Sequence, residues 1–437
     1  MKWEKHLSLS FLTSLLVSST FLNATEDTNT TESKNWIILP YIFTTDSTGF
    51  SGGIGIIKQG LIQPQTTLVT SIFGGVPQDV IIDGKEKKKS FSGGFLAFSN
   101  LKLPYTNRTF FSFIGIKSYF PKEIYYLNGS NDSKQKDVFH TSGNSDFFNT
   151  NFRYVLPIGE GLNNPEELYD LQDGFAINRE TYGNHEPFVT GRTSIGLKTF
   201  YQSNSSESWI KPKVKKDSNE IFEWNTNGLR FYLAHDNTNF NLNPSRGYHF
   251  ELQYSKDFGK GSSLQSWDFL EFKFNKYYNL DTFSFTQQNV LALSVWTGYS
   301  FSWDKNKEIA PSIDLHRPPL WEGGRLGGFN KLRAYDNNRF SDKAALYATA
   351  EYRAILKFNP LKHNSIVPVA IDWFQVVAFA EIGRVHDHYD FNLLNDMKYS
   401  VGLSLRAMTA QLPVRFDIAY GKEGANMWVM VNQPFDF

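Results

Sequence analysis

The chain has 437 residues, and its 44 basic side chains balance 44 acidic ones, so its formal charge is zero. A neutral balance lacks the basic surface that nucleic-acid binding requires. The absence of cysteine excludes a disulfide scaffold, thiolate metal sites and cysteine nucleophiles. Aromatic residues make up 16% of the chain, which is high for an ordinary soluble domain.

The first residues are typical of an export signal. A short charged start, MKWEKH, precedes the apolar stretch LSLSFLTSLLVSSTFL and a small residue before a polar segment. This is the order of regions in a secretory signal peptide. We expect cleavage after Ala24, so that residues 1–24 form the signal peptide and residues 25–35 a polar tail. A membrane anchor helix is the less favoured alternative, because about 16 residues interrupted by serines are short for a span of roughly 20.

From residue 36 onward the dominant sequence pattern has a period of two. Apolar and polar residues alternate in LEFKFNKYY (270–278), MKYSVGLSLRAM (397–408) and PVRFDIAY (413–420). A soluble β-sandwich would also alternate. However, many runs have the length that a tilted strand needs to cross a bilayer, and aromatic residues recur at their ends, where interfacial girdles lie. The pattern therefore predicts an all-β fold, a transmembrane antiparallel β-barrel of about 16 strands.

The alternation places the strands along nearly the whole chain. The predicted strands are 36–43, 48–58, 65–74, 90–99, 109–119, 148–158, 189–202, 226–235, 247–257, 267–280, 285–300, 344–358, 372–384, 398–408, 413–420 and 426–435. Links after odd-numbered strands are expected on the cell exterior, and the long ones are 120–147, 203–225, 301–343 and 385–397. The link 159–188 is long where a short turn is expected, which leaves room for one further hairpin. The barrel is expected to fill residues 36–437, with no separate soluble domain.

Motifs in the C-terminal half resemble those of the Omp85 superfamily. DNTNFNLNPSRGYHFEL (236–252) resembles that family's turn from aspartate to Pro-x-x-Gly and the strand after it. GGRLGGFNKLRAYDNNRFSDKAALYATAEYR (323–353) resembles the sixth extracellular loop and twelfth strand, and VVAFAEIGRV (376–385) the thirteenth strand. The motifs cover residues 229–437, and the likeness before them is architectural. The family includes the BamA and TamA assembly proteins, and this chain resembles them without their periplasmic receptor repeats.

The resemblance gives a role to one loop arginine. The family carries Val/Leu-Arg-Gly-Phe/Tyr where this chain has Leu332, Arg333, Ala334 and Tyr335. It implies that the loop folds into the lumen and that Arg333 pairs with a carboxylate on strand 12 or 13, Glu381 first and Glu351 second. An unpaired buried guanidinium would be costly, which makes such a partner necessary. The alternative is a solvated loop cation. Because alanine disfavours backbone conformations that glycine permits, Ala334 predicts a changed turn.

The chain end resembles a signal for barrel insertion. Phe437, the last residue, and Phe435, two residues before it, follow a strand pattern and are similar to the aromatic termini by which bacterial barrels are recognised. Pro434 lacks an N–H group, so it is expected to mark the point where strand pairing stops.

Other candidate chemistry is weaker. His386 and His388 would face the same way on a strand, as a metal pair does, but they fall in a predicted loop where such clusters are usually solvated. His249 and Ser255 share a polar strand face without an oxyanion-binding motif nearby. We therefore predict no catalytic residue, no metal site and no cofactor, and a protein that is not an enzyme.

The resemblance implies a function at the bacterial outer membrane. In the family the barrel assists the insertion or translocation of polypeptides, and its first and last strands part laterally. The partners implied are outer-membrane lipid, unfolded β-barrel or secreted polypeptide clients, and a periplasmic accessory protein. A passive or partly plugged pore or transporter, and a structural surface antigen, remain as alternatives.

Overall fold

Sixteen strands form one continuous antiparallel sheet in the computed structural model of the chain. Numbered β1 to β16, they are Ile37–Thr45, Gly49–Gln59, Thr67–Gly75, Ser92–Lys102, Thr109–Tyr126, Val138–Val155, Arg192–Ser206, Phe222–Asp236, Gly247–Asp257, Trp267–Leu280, Thr286–Tyr299, Ala344–Leu356, Ile371–His386, Lys398–Thr409, Leu412–Gly421 and Gly424–Val431. Each strand pairs with the next one along the chain. The predicted all-β fold and the predicted number of strands are confirmed.

The structure describes most of the chain. The described residues are 24–25, 36–45, 47–82, 85–126, 128–166, 168–177, 189–207, 222–305, 314–362, 371–409, 412–431 and 433–435. The predicted signal peptide and polar tail lie almost entirely outside these ranges, so the leader stays a prediction.

The strands turn apolar side chains outward and charged ones inward. In β14, Leu403 is 61% exposed while Arg406 is fully buried. In β15, Ile418 is 46% exposed while Asp417 is fully buried. This reverses the arrangement of a soluble protein, in which apolar side chains fill the interior and charged ones face water. It is the arrangement of a barrel whose outer face meets lipid.

The sheet curls round a shared interior. Ile57 of β2 and Phe95 of β4 belong to one buried cluster with Trp373 of β13 and Met408 of β14. Strands so far apart in the sheet order can share a cluster only because the sheet closes toward itself. Ile37 of β1 and Val431 of β16 also pack against this cluster, so both end strands of the sheet contribute to the shared interior.

Two segments enter the barrel from opposite ends. The lumen loop (residues 314–343) is part of the link from β11 to β12, and the inward turn (residues 237–246) joins β8 to β9. In an antiparallel meander, links after odd-numbered and even-numbered strands lie at opposite ends, so these two segments face each other along the barrel axis.

Several predicted links are shorter than expected. β5 and β6 have 18 residues each, so the link between them is 127–137 and the longer predicted loop was wrong. A strand needs only about 9–11 residues to cross a membrane, and pairing continues beyond that length as a hairpin. The basic run Lys85–Lys89, which lies outside the predicted strands, is an exposed strand paired with Gln78–Ile82.

The unusual link between β6 and β7 contributes no barrel strand in its described part. It holds a 3₁₀ turn, Gly159–Leu162, and two short strands, Tyr169–Gln172 and Phe175–Ala176, which pair with each other. Ala24–Thr25 pairs in parallel with the first of these short strands. The count of sixteen therefore needs no extra hairpin. Among the described residues, no helix is long and apolar enough to cross a membrane.

Candidate functional site

The lumen loop is folded around a short hairpin. Arg325–Leu326 pairs with Phe340–Ser341, and the motif residues lie between these two short strands. Gly327 has a φ of +102°, and a Cβ added to it would lie 2.4 Å from the carbonyl oxygen of Asp336. Only glycine fits such a close backbone approach. Gly327 and Gly328 thus permit the tight backbone fold that places the loop tip against the barrel wall.

Arg333 lies at the tip of the loop with its side chain fully buried. Its backbone N–H donates to Glu381 Oε2 at 2.7 Å, and its Nε donates to Glu381 Oε1 at 2.9 Å. Its Nη2 donates to Glu351 Oε1 at 2.8 Å, and its Nη1 donates to Asp417 Oδ2 at 3.3 Å. The Arg333 Cζ lies 3.4 Å from the centroid of the Phe379 ring. The structure therefore brings Arg333 to both carboxylates that the sequence singled out.

Asp417 was not predicted as a partner of Arg333, although the sequence indicates that its side chain faces the lumen. Strand alternation already placed Asp417 on the polar face of β15, but the motif comparison pointed only to strands 12 and 13. A guanidinium carries five N–H donors in a planar fork, so it can bind more than one carboxylate. Counting its donors against the inward acids of neighbouring strands would have found this third partner.

The ion pairs continue along the inner wall. Glu351 also accepts hydrogen bonds from Arg353 Nε and Arg406 Nη2, both at 2.9 Å. Arg415 pairs with Asp417 and donates from Nη2 to a loop carbonyl at 2.9 Å. The seven members of this buried network are Arg333, Arg353, Arg406, Arg415, Glu351, Glu381 and Asp417. Buried ions are tolerated when opposite charges and hydrogen bonds compensate them, so the network fixes the loop to β12, β13, β14 and β15.

Ala334 fits its position without a special backbone conformation. The positive φ falls on Leu332, at +53°, and not on Ala334, so the alanine carries no left-handed backbone strain, and a turn that differs from the family's stays a prediction. Its backbone N–H donates to Ser400 Oγ at 3.1 Å. A Cβ added to Gly421 of β15 would lie 2.9 Å from the Ala334 methyl group. A glycine on the wall thus makes room for the methyl group that the loop carries.

The same loop tip reaches the last strand of the sheet. The Trp428 Nε1 of β16 donates to the carbonyl oxygen of Arg333 at 2.6 Å. Tyr335, the last residue of the motif, is 1% exposed and packs edge-on against Phe340 with ring centroids 5.1 Å apart. All four motif residues are therefore packed inside the barrel.

A second buried arginine holds the far side of the loop. Arg339 donates from Nε and Nη2 to the two carboxylate oxygens of Glu423, at 2.8 Å and 2.7 Å. Its Nη1 donates to Ser133 Oγ at 2.8 Å. Tyr126 donates its hydroxyl hydrogen to Asp336 Oδ2 at 2.5 Å. Sequence reasoning did not single out Arg339, because its partners lie on distant links whose proximity only the folded barrel creates.

The inward turn occupies the lumen at the opposite end. Phe240 and Leu242 are 2% exposed and join the cluster that links the two walls of the barrel. Asn243 donates from Nδ2 to Gln288 Oε1 at 3.0 Å and accepts from Gln375 Nε2 at 3.2 Å. These contacts attach the turn to β11 and β13. The Pro-x-x-Gly segment is therefore an element that enters the lumen.

The backbone of this turn explains its glycine. Asp236 Oδ1 accepts from the Thr238 N–H at 2.8 Å and from its hydroxyl at 2.7 Å. Gly247 has a φ of +96°, and an added Cβ would lie 2.5 Å from the carbonyl oxygen of Asn237. A side chain at this position would collide with the backbone as the chain re-enters the sheet.

The C-terminal residues turn into the barrel instead of extending β16. The predicted last strand, 426–435, was too long, because β16 ends at Val431 and Pro434 cannot donate to a ladder. Phe435 is 1% exposed and lies over the Arg353 guanidinium, whose Cζ is 4.7 Å from the ring centroid. Gln433 accepts from Arg406 Nη1 at 2.6 Å. Phe437 lies outside the described residues, so the insertion signal stays a prediction.

A cavity of about 400 Å³ remains between the lumen loop and the inward turn. Side chains of β4 to β11 line its wall, and both inserted segments contribute to its boundary. Arg230 of β8 contacts Glu322 of the loop at 2.5 Å. Lys331 Nζ lies 3.5 Å from the centroid of the Trp296 ring, and burial lowers the pKa of Lys331 to about 7. The cavity thus combines aromatic surface with charges of both signs.

The histidines form no compact site in the described part of the chain. His386 Nε2 lies 3.8 Å from Asp390 Oδ1, and His388 Nδ1 lies 3.8 Å from Asp387 Oδ2. On the inner wall, His249 Nδ1 lies 3.8 Å from Asp236 Oδ2. Within the described ranges, no group of three or more His, Cys, Asp or Glu residues is arranged to hold a metal ion.

A family model described as the Omp85 superfamily domain matches residues 170–437. The chain belongs to the Omp85 superfamily. The match contains the lumen loop, the inward turn and every member of the buried ion-pair network. It thus extends the resemblance of the C-terminal motifs toward the N-terminus and identifies the chain as an outer-membrane β-barrel. Comparison with curated proteins found no match.

Solved structures with a similar fold include other Omp85 barrels. CdiB from Escherichia coli has a TM-score of 0.52 and 9% identity, with 91% of this chain and 61% of that chain covered. CdiB from Acinetobacter baumannii has a TM-score of 0.48 and 13% identity, covering 91% and 59%. BamA from Haemophilus ducreyi lacking POTRA domains 1–3 has a TM-score of 0.48 and 12% identity, covering 92% and 70%. At these identities the similarity concerns the fold alone, and the chain spans about three-fifths of the two CdiB proteins.

Proposed function

We propose that this Omp85 barrel assists the insertion or translocation of polypeptides at the bacterial outer membrane. The observation that carries the proposal is the position of the loop anchor. Arg333 and its neighbours bind the lumen loop to the inner faces of β12 to β16, the strands that lead to one edge of the sheet. The anchor thus braces one side of the seam between β16 and β1. β1, on the other side of the seam, is not among the strands that these hydrogen bonds contact.

The seam itself has the features of a weak junction. β16 contributes eight residues to the sheet, and the chain then turns into the lumen. β1 carries Pro40, which has no N–H to donate to a neighbouring strand. Unpaired N–H and C=O groups at such an edge offer a template to an incoming strand, as in β-augmentation. A client strand would add to this edge before it leaves into lipid.

The proposal includes export of the chain and the partners that such a role needs. Residues 1–24 would act as a signal peptide, 25–35 as a polar tail and 36–437 as the barrel in the outer membrane. Its partners would be outer-membrane lipid, unfolded β-barrel or secreted polypeptides, and a periplasmic accessory protein that delivers them. No enzymatic step is part of the proposal.

Reconstitution tests the proposal directly. We expect phospholipid vesicles that contain this barrel to accelerate the folding of a urea-unfolded eight-stranded outer-membrane barrel several-fold. Folding would be followed by the shift in electrophoretic mobility of unheated samples. Vesicles with the same mass of a porin provide the control for defects that any barrel creates in a bilayer. Equal rates with the two proteins would contradict the proposal.

A pore or transporter is the second candidate function, and the cavity favours it. A chamber of about 400 Å³ with charged and aromatic walls already exists inside the barrel. The lumen loop and the inward turn border this chamber, so transport would require movement of both. A structural surface antigen would show neither client folding nor conductance.

A further inference from the structure

The loop between β13 and β14, residues 387–397, lies against the outside of the barrel. Thr297 of β11 donates its hydroxyl hydrogen to the Tyr389 hydroxyl oxygen at 2.9 Å. Thr297 faces outward, because the preceding Trp296 is buried in the lumen. The Tyr389 ring also meets the ring of Tyr299 edge-on, with centroids 6.1 Å apart. The Tyr389 end of the loop therefore continues the outer wall, whereas at the other end the Asp396 carbonyl oxygen accepts from Asn131 Nδ2 of the β5–β6 link at 3.2 Å.

This outer loop exposes large apolar side chains. Phe391 is 88% exposed, Leu394 is 59% exposed and Tyr389 is 55% exposed, whereas Leu393 between them is buried. Phe301, which packs edge-on against Tyr299, is 62% exposed. Several large apolar side chains exposed on one short segment mark an interaction surface, because leaving them in water is unfavourable.

Hydrogen bonds hold the patch in a fixed conformation. Asp390 caps the 3₁₀ turn Phe391–Leu394 by accepting from the Asn392 N–H at 2.9 Å. The Asn395 N–H donates to the Asn392 carbonyl oxygen at 3.0 Å. Arg384, at the end of β13, donates from Nη1 to the Asn395 carbonyl oxygen. The apolar side chains are thus presented by an ordered support, and the Asp390 carboxylate is engaged within the loop.

We infer that Tyr389, Phe391 and Leu394 insert into the lipid leaflet at this rim of the barrel. Through Tyr389 the loop contacts Thr297 and Tyr299 on the outer face of β11, where Val295 is 39% exposed. Aromatic and aliphatic side chains on a short ordered segment favour the boundary between headgroups and acyl chains. The partner of this surface is therefore the membrane lipid itself.

The insertion would hold the same strands that the lumen loop holds from inside. β12 and β13 carry Glu351 and Glu381 on their inner faces, and the 3₁₀ turn of the outer loop packs on these two strands from outside. This part of the barrel would then stay fixed in the bilayer while the seam moves. The inference rests on the proposed membrane location and not on the handling of polypeptides.

Single-cysteine variants test the inference cleanly, because the natural chain has no cysteine. Phe391→Cys and Leu394→Cys would carry a nitroxide label in dioleoylphosphatidylcholine vesicles. Accessibility to oxygen, which concentrates in lipid, would be compared with accessibility to a water-soluble nickel chelate. Leu403→Cys on the outer face of β14 is the lipid control, and Lys87→Cys on the exposed hairpin is the water control.

We expect the labels at positions 391 and 394 to favour oxygen over nickel, as the label at 403 does. Values that match those at position 87 would overturn the inference while leaving the membrane barrel intact. A water-accessible label at 403 would instead overturn the membrane location itself.

Discussion

Arg333 shows how one side chain can fix a long loop inside a barrel. Its guanidinium and backbone N–H together bind Glu381, while Glu351 and Asp417 take the remaining terminal nitrogens. Lysine could supply the charge but not the planar fork that joins carboxylates on three strands. The position of the loop therefore depends on the shape of the guanidinium as well as on its charge.

Substitution of Arg333 or of Glu381 should show how far the stability of the barrel depends on their ion pair. We expect Arg333→Met to lower the free energy of unfolding by roughly 3–5 kcal/mol, because buried carboxylates lose their compensating charge. Glu381→Gln should also destabilise the barrel, and the double variant should lose less than the sum of the two single losses. Denaturant unfolding in detergent, followed by heat-modifiable mobility, measures all three.

The control variant for this test is Lys87→Met. It removes a charge from the exposed hairpin and should change the free energy of unfolding by no more than about 0.5 kcal/mol. If the losses of the Arg333 and Glu381 variants add within about 0.5 kcal/mol, the two side chains do not act as a coupled pair.

At the scale of elements, period and length were enough to predict the number of strands but not the ends of β5, β6 and β16. The outward Leu403 and inward Arg406 alternate in sequence as they do in space, so the sheet and its polarity could be read from the pattern. The motif comparison also selected Glu381 and Glu351, because it carried information about which strands meet the loop. Asp417, Arg339 and the inward course of Phe435 were not predicted. They depend on contacts between distant strands, which periodicity does not encode.

The two inserted elements should control conductance together. We expect deletion of residues 325–340 alone to leave planar-bilayer conductance near its basal level, because Phe240 and Leu242 still fill the opposite end. Phe240→Ser/Leu242→Ser alone should also leave it low. The combined variant should conduct ions steadily, since both boundaries of the cavity are then weakened. Heat-modifiable mobility confirms that each variant is folded. Stable conductance after the loop deletion alone would show that the inward turn is no barrier.

For the whole molecule, the structure divides the barrel into a braced part and a seam. The lumen loop and its ion pairs hold β12 to β16 on the inside. β1 and β16 are the two end strands of the sheet, and β16 contributes only eight residues to it. An insertion mechanism needs this combination, because one edge must stay in place while the other opens to a client strand.

Locking the seam tests this account most directly. A panel of cysteine pairs, one residue in β1 and one in β16, would be oxidised in the reconstituted protein, and the rate of client folding would be measured before and after reduction. Ile54→Cys/Ile72→Cys, directly opposed on β2 and β3, provides a matched disulfide away from the seam. The account predicts that a seam disulfide stops the acceleration, that reduction restores it, and that the control pair has no effect. Undiminished client folding with the seam locked would contradict it.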